Sequence, residues 1–167
     1  MDIRAATPED AHVLCEAELA TAAVPGQLVS RPEEISVASL DARIRAASRT
    51  GCFFVAQRDG RVVAHAVLEP MGLAAIQHVY RLTVVVHPGQ TGQGIGTALL
   101  QHVQRWADSR PGLHKIELLV RATNVAAIRL YTRLGFQEEG RLRNRIRLHT
   151  GELIDDIAMA WFPDARA

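Results

Sequence analysis

The chain has 167 residues, of which 48% are hydrophobic and 22% charged, with 19 basic and 18 acidic side chains and a formal net charge of +1. This composition excludes a disordered chain, and the length suffices for one domain over residues 1–167 with its own core. The near-zero charge excludes a strong general attraction to nucleic acid or to an anionic membrane, so any polyanion site must be local.

The first half of the chain predicts two helices followed by a hairpin. Residues 2–6 form a strand, and Thr7-Pro8-Glu9-Asp10 is a helix start signal before apolar residues at helical spacing. A second helix is predicted to open at Arg31-Pro32-Glu33-Glu34 and to end near Gly51. Strands 53–57 and 62–68 flank Asp59-Gly60, which is a strong hairpin turn signal. A longer strand follows over residues 76–87.

The second half predicts two more helices and three more strands. A helix starts at Ile95, and its apolar residues recur along one face. After a strand over residues 115–120, Asn124 caps a helix that has Val125, Ile128 and Tyr131 on one side and ends at Gly135. Strands 136–148 and 153–161 complete a mixed α/β chain.

Residues 84–100 read as a strand, a loop and a helix, with Gly92, Gly94 and Gly96 spaced two apart. Glycines let successive backbone N–H groups turn toward one point, and the N-terminus of the next helix adds partial positive charge. The segment therefore predicts a pyrophosphate-binding site.

Three other interpretations of this loop are weaker. A P-loop requires Gly-Lys-Ser/Thr, but the chain's single lysine is the distant Lys115. A dinucleotide loop requires G-x-G-x-x-G, whereas this loop reads G-x-G-x-G and does not follow the first strand. A merely flexible connection does not explain why three glycines directly open an amphipathic helix.

Two segments resemble the signatures of the GCN5-related N-acetyltransferases (GNAT family). Thr91-Gly92-Gln93-Gly94-Ile95-Gly96 is similar to the family's coenzyme A loop, Arg/Gln-x-x-Gly-x-Gly/Ala, although Thr91 stands where arginine or glutamine is usual. Residues 124–136 resemble the second signature, Asn-x-x-Ala-x-x-x-Tyr-x-Lys/Arg-x-Gly-Phe, at matching spacing. The C-terminal segment resembles bacterial members that acetylate amino acids, polyamines or protein N-termini.

The resemblance implies a GNAT fold: a mixed, mostly antiparallel sheet with helices on both faces and a V-shaped opening for acetyl-CoA. It also implies transfer of acetyl from acetyl-CoA to a primary amine, with the N–H of Val84 holding the thioester oxygen. The coenzyme-binding residues that it implies are Val84, Val85, Val86, Thr91, Gly92, Gln93, Gly94, Ile95, Gly96, Thr97, Asn124, Ala127, Tyr131 and Arg133.

Tyr131 is the catalytic residue that the resemblance implies, as the acid that protonates the departing thiolate. It lies seven residues after Asn124, or two helical turns, so both lie near one face. The alternative is a core tyrosine that fills space between helix and sheet. Asn124 is either a helix cap, a contact of the coenzyme, or both. Arg133 either contacts a coenzyme phosphate or complements the helix dipole.

No general base is evident. Residues 76–86 contain no carboxylate, and His78 is their only histidine, so a water chain is the other route for the amine proton. An α-amino group with a pKa near 8 is about one-tenth neutral at pH 7, whereas a lysine-type amine is neutral in less than about one part in a thousand. The missing base therefore favours an α-amino acceptor.

Alternation of Arg141, Arg143, Arg145 and Arg147 predicts four guanidinium groups on one face of a strand. This face is either solvated or binds an anion, near the acceptor or in a homodimer. The seven histidines show no HxxH or HExxH pair, so no metal site is expected.

The sequence also bears on the location of the protein, on its partners and on two alternative functions. Cys15 and Cys52 lack CxxC spacing, and no basic leader with an apolar run is present, so we expect reduced thiols and a cytoplasmic protein. The expected partner is a small-molecule amine, with neither nucleic acid nor membrane. The rival functions are a non-catalytic coenzyme A binding or sensing module and a structural dimerisation domain.

Overall fold

The computed structural model of the chain describes residues 1–163. The helices and strands, in chain order, are β1 Asp2–Ala5, α1 Ala11–Ala22, α2 Val37–Thr50, β2 Cys52–Arg58, β3 Arg61–Pro70, β4 Val79–Val86, α3 Ile95–Asp108, β5 Lys115–Arg121, α4 Val125–Arg133, β6 Gln137–Arg147 and β7 Leu153–Trp161. Short 3₁₀ turns occupy Pro8–Asp10, Pro32–Glu34 and Ala74–Ile76. None of the helices within residues 1–163 is long and apolar enough to cross a bilayer.

The seven strands form one sheet in the order β1-β2-β3-β4-β5-β7-β6. Each neighbouring pair is antiparallel except β4 and β5, which run parallel. The β2–β3 turn has positive φ at both Asp59 (50°) and Gly60 (75°), which is the backbone that an Asp-Gly hairpin turn requires. The predicted hairpin and the mixed, mostly antiparallel sheet are confirmed.

Helices cover both faces of the sheet. On one face, Leu14 of α1 and Ile44 of α2 are buried against Phe53 and Val67. On the other, buried residues of α3 such as Leu99 pack in one cluster with strand residues and with the inner side of α4. Burial of these apolar side chains is what holds the two layers of helices on the sheet.

The parallel pair β4–β5 opens into a V. The two strands pair only where Val79–Arg81 lie beside Lys115–Glu117. Beyond that point β4 runs on to Val86 and β5 to Arg121 without pairing with each other, while β3 and β7 continue to pair with their outer edges. The V-shaped opening expected from the resemblance is therefore present, and the glycine-rich loop begins at its open end.

Three local predictions were wrong. The second helix does not open at Arg31, because Pro32–Glu34 form a separate 3₁₀ turn and the Oγ of Ser36 caps α2 by accepting from Ser39 N at 3.1 Å. The fourth strand begins at Val79 rather than at residue 76. Val125 is 51% exposed and does not share the buried side of Ile128 and Tyr131.

The arginines of β6 do not share one face. The pairing shifts between Leu142, opposite Asp156, and Ile146, opposite Ile154, so an irregularity with extra residues lies between them. Asn144 in this segment has a φ of 53°, in the left-handed region. The bulge breaks the alternation on which the prediction of a single arginine face depended.

Candidate active site

The three glycines of the loop serve two different purposes. Gly92 and Gly94 have φ values of 76° and 77°, and a Cβ on either would meet no atom within 4 Å, so the space beside them is open. A Cβ on Gly96 would lie 3.1 Å from Leu130 Cδ2 and 3.5 Å from Val86 Cγ2. Thus Gly92 and Gly94 shape the loop, and Gly96 lets α3 pack closely on α4 and β4.

Helix α3 presents uncapped backbone donors to this loop. Gly94 is the N-cap residue and supplies no side-chain hydrogen bond to the first turn, in which Ile95 and Gly96 are buried and Thr97 is half-buried. Unsatisfied N–H groups and the positive end of the helix dipole attract anions. Because Thr91, Gly92 and Gln93 are exposed just before this end, a phosphate can approach it from solvent.

Arg58 brings a positive charge to the loop that sequence reasoning missed. Its guanidinium Nη1 donates to Oε1 of Gln93 at 2.5 Å, and Nε2 of Gln93 donates to the carbonyl of Gly89 at 3.3 Å. Arg58 ends β2, 35 residues before Gln93, so only the sheet brings the two together. The positive charge of Arg58 lies beside the loop in which Thr91 occupies the position where arginine or glutamine is usual.

The end of β4 offers backbone rather than side chains to the V. Val85 is buried in the core, and Val84 and Val86 pack against the cluster of α3 and α4. Within residues 1–163, the edge that faces β5 has no strand partner over these residues. Free amides on this edge are hydrogen-bond donors for a ligand in the gap.

Asn124 caps α4 in the structure. Its Oδ1 accepts from the backbone N of Ala127 at 3.1 Å, so that amide is already satisfied. Arg133 is exposed near the C-terminal end of α4, beside a shallow cavity of about 390 Å³ that it lines with Ile128, Arg129 and Thr132. The helix thus reaches from its cap near the V to an exposed arginine.

Tyr131 lies on the inner side of α4, half-buried, with its ring centroid 5.6 Å from that of Phe136. Burial raises the pKa of Tyr131 to about 12, against the lowering effect of the charge of Arg121. The phenol is therefore fully protonated at neutral pH, as a donor must be. Since a thiol has a pKa near 8.5, the hydroxyl suits hydrogen bonding to developing charge on sulfur better than complete proton transfer.

His78 is not brought to the V. It precedes β4, at the end of the strand away from the glycine loop, with its ring centroid 6.0 Å from that of His114. A cavity of about 510 Å³ opens there, lined by His78 and Arg110 among others. Among residues 1–163, no group of three or more histidine, cysteine or acidic side chains is arranged to hold a metal ion.

A buried polar chain that sequence reasoning also missed ends beside the loop. His65 Nε2 lies 3.0 Å from Glu18 Oε1, and His65 Nδ1 lies 3.1 Å from Nε2 of His87, the residue that follows β4. All three side chains are buried. Burial and the charge of His65 lower the pKa of His87 to about 4. Sequence separations of 47 and 22 residues left no local signal for these contacts.

A second buried cluster lies at the open end of β5. Arg121 Nε donates to Asp156 Oδ1 of β7 at 2.5 Å, and both side chains are buried. Asp156 Oδ2 has no hydrogen-bond partner within residues 1–163, and Arg145 Nε lies 3.8 Å from it. This carboxylate is on β7, the strand beside β5, and therefore lies outside residues 76–86, the segment in which a general base was expected.

The profile of the acetyltransferase (GNAT) family matches residues 20–136. The L-amino acid N-acetyltransferase of Escherichia coli is 31% identical over 106 residues, which are 64% of this chain and 65% of that enzyme. The ribosomal-protein-alanine N-acetyltransferase of Brucella melitensis superposes with a TM-score of 0.88 at 26% identity, covering 97% of this chain and 99% of that one. An acetyltransferase of Salmonella typhimurium, solved with its cofactor acetyl-CoA, superposes with a TM-score of 0.91 at 23% identity, covering 100% and 96%.

The chain matches between 53% and 65% of the length of the first three curated relatives. The family profile covers well over half of the chain, and the solved structures share its sheet and helices over nearly the whole length. The family and the fold predicted from the two signatures are confirmed: the chain belongs to the acetyltransferase (GNAT) family.

Proposed function

We propose that this protein transfers the acetyl group of acetyl-CoA to the α-amino group of a small molecule. The observation that carries the proposal is the V between β4 and β5, whose open end adjoins the glycine loop and the uncapped start of α3. A ligand with a pyrophosphate at one end and a long amide-bearing arm matches both features. Acetyl-CoA has this form.

The proposed coenzyme-binding residues form two groups, one for the pyrophosphate and one for the pantetheine arm. The backbone of residues 91–97 and the charge of Arg58 favour the pyrophosphate. The free edge at Val84, Val85 and Val86 favours the amides of the pantetheine arm. Asn124, Ala127 and Arg133 support the far side of the V through α4, where the cap holds the first turn.

In the proposed reaction a neutral amine attacks the thioester carbon, a C–N bond forms, the C–S bond breaks, and one amine proton is lost while the sulfur gains one. The N–H of Val84 stabilises the oxyanion that develops on the carbonyl. The Tyr131 hydroxyl donates a hydrogen bond to the departing sulfur, which takes up its proton from water. The amine proton leaves through water, since β4 carries no carboxylate.

An α-amino acceptor follows from this lack of a base, because such an amine is partly neutral at pH 7. The names of two relatives agree with it, since one acts on L-amino acids and the other on ribosomal-protein alanine.

A screen of acceptors tests the proposal. The protein is incubated with acetyl-CoA and L-amino acids, a peptide with a free N-terminus, spermidine, Nα-blocked lysine or an aminoglycoside, and release of the coenzyme thiol is measured. We expect turnover with α-amino compounds. Turnover of spermidine or blocked lysine alone would contradict the acceptor class, and coenzyme binding without turnover of any amine would favour a sensing module.

We also propose a single domain, a cytoplasmic location and a homodimer. Both cysteines are buried and unpaired, which suits a reducing compartment. Strand β6 is an eleven-residue sheet edge with exposed Leu142, a surface on which a second copy can pair. Light scattering of the purified protein measures the mass and thereby tests the dimer.

A further inference from the structure

The bulge in β6 turns two of its arginines toward opposite faces of the sheet. Asp155 Oδ1 accepts from the backbone N of Asn144 at 2.8 Å, and its Oδ2 accepts from Arg141 Nε at 2.6 Å. Arg145 instead lies nearest to Asp156. Neighbouring residues of a strand point to opposite faces, so Arg141 and Arg145 lie on different sides. Bulges that re-aim a side chain in this way occur preferentially next to active sites.

Arg145 is turned to the face that α3 and α4 leave uncovered. In β7, Ile157 and Met159 belong to the core under α3 and α4, so Asp156 faces the other way. The connection from α1 to α2 crosses that second face, since a Cβ on Gly26 would lie 3.5 Å from Ile154 Cδ1. Because α3 and the glycine loop that opens it lie on the first face, we expect an acceptor to approach the V from the second face.

Among the charged side chains of residues 1–163 at this point, one guanidinium makes no hydrogen bond. Arg121, Asp156 and Arg145 together carry a net charge of +1, and the short hydrogen bond between Arg121 and Asp156 pairs two of them. Arg145 is half-exposed, approaches Asp156 Oδ2 only to 3.8 Å, and makes no hydrogen bond within residues 1–163. Its N–H donors therefore remain available in a fork that matches a carboxylate.

We propose that Arg145 binds the α-carboxylate of the acceptor, so that the substrate class is the free α-amino acid rather than a simple amine or a peptide N-terminus. The buried Asp156 holds the guanidinium near the open end of the V, and the bound carboxylate fixes the adjacent amino group toward the thioester. This inference rests on the proposed acetyl transfer to α-amino compounds and adds the feature by which the acceptor is recognised.

The test compares L-amino acids with their carboxamides, which lack the carboxylate charge and have an amine of lower pKa, so kcat/KM is expressed per neutral amine. The kcat/KM of each compound is measured for the unmodified protein, for Arg145→Gln and for Arg143→Gln, a neighbouring arginine of the same strand. We expect the unmodified protein to favour the acids. Arg145→Gln lowers kcat/KM for the acids about 10- to 100-fold through a higher KM, and it leaves the amides and the KM of acetyl-CoA nearly unchanged. Arg143→Gln keeps the preference.

Three outcomes are decisive. If no amine is acetylated by the unmodified protein, the proposed function itself fails. If α-amino compounds are acetylated but acids and amides react equally, or if Arg145→Gln keeps the preference for acids, only the carboxylate site is wrong. Because Arg145 is half-exposed, the variant is expected to fold, and an unchanged thermal midpoint verifies it.

Discussion

At the scale of single residues, the Tyr131 hydroxyl separates a catalytic from a structural interpretation. Tyr131→Phe keeps the ring that packs against Phe136 and removes only the donor. We expect kcat to fall at least about 10²-fold while the thermal midpoint and the affinity for acetyl-CoA stay nearly unchanged. Steady-state kinetics and thermal unfolding of the same preparation measure both quantities.

Tyr80 provides a matched control for this variant, because it is the chain's other tyrosine. Its hydroxyl donates to the carbonyl of Thr50 at 3.3 Å, so Tyr80→Phe removes a purely structural hydrogen bond. Its expected cost is on the order of 1 kcal/mol of stability without loss of rate. If Tyr131→Phe lost stability but kept its rate, as expected for Tyr80→Phe, the role of Tyr131 would be structural rather than catalytic.

The buried chain of Glu18, His65 and His87 couples stability to pH. Burial alone would raise the pKa of Glu18, but the hydrogen bond and charge of His65 outweigh it and hold that pKa below its ordinary value. His87 has a pKa of about 4 in the folded protein against 6.5 for an ordinary histidine. Below pH 6.5 the unfolded chain therefore binds a proton that the folded protein does not. The free energy of unfolding falls as the pH drops from 6.5 toward 4.

His87→Gln tests this coupling. We expect the variant to lose the part of the pH dependence of unfolding that His87 causes. That part changes the free energy of unfolding by about 1.4 kcal/mol per pH unit midway between the two pKa values and by roughly 3 kcal/mol in total. Urea unfolding at several pH values between 4 and 7 measures the slope. Arg43 of α2 also acts on Glu18, and in both proteins Glu18 adds a further loss of stability as the pH falls from its ordinary pKa toward its lower folded pKa. His149→Gln, in an exposed turn, serves as the control, and equal slopes in both variants would refute the assignment to His87.

At the scale of elements, the sequence predicts what local backbone preference decides. The Asp59-Gly60 hairpin and the loop from Gly92 to Gly96 are recognisable because glycine and aspartate tolerate the positive φ that these turns need. The bulge at Asn144 was not predictable, since it is held by a hydrogen bond that the backbone N of Asn144 donates to Asp155 on another strand. The contacts of Arg58 and Arg145 arise only once the sheet is assembled, and strand alternation alone gave a wrong face for Arg145.

Substitution of Gly94 tests the glycine loop, and Gly60 provides a control variant with the same backbone strain. Gly94 and Gly60 have φ values of 77° and 75°, and a Cβ on either meets no atom within 4 Å. Gly94→Ala and Gly60→Ala should each cost about 1 to 2 kcal/mol of stability. If the loop amides hold the phosphates as proposed, only Gly94→Ala disturbs them, so we expect at least about tenfold weaker binding of coenzyme A by this variant.

Calorimetric titration with coenzyme A distinguishes the two glycine variants, and thermal unfolding shows that their stabilities match. Equal affinities in both would mean that the phosphates are held elsewhere than in this loop.

At the scale of the whole molecule, the sheet is joined at its centre by few contacts. Strands β4 and β5 share three residue pairs, and the two halves of the sheet then diverge around the V. A coenzyme arm that pairs with the free edge of β4 completes the sheet where the protein alone does not. Amides of residues 83–86 that face the gap should therefore exchange hydrogen at least about tenfold more slowly when acetyl-CoA is bound.

Hydrogen exchange followed by mass spectrometry measures this effect, but binding also stabilises the whole fold. At a ligand concentration 100 times Kd, mass action adds about 2.7 kcal/mol, which slows every amide that exchanges through global unfolding. The amides at the open end of β4 exchange through local opening, because only one of their two neighbouring strands holds them. Protection concentrated on residues 83–86 and on the start of α3, with the β6–β7 turn at residues 148–152 unchanged, would mean that the arm pairs with β4. Uniform slowing along the chain would instead mean that the coenzyme binds without entering the V.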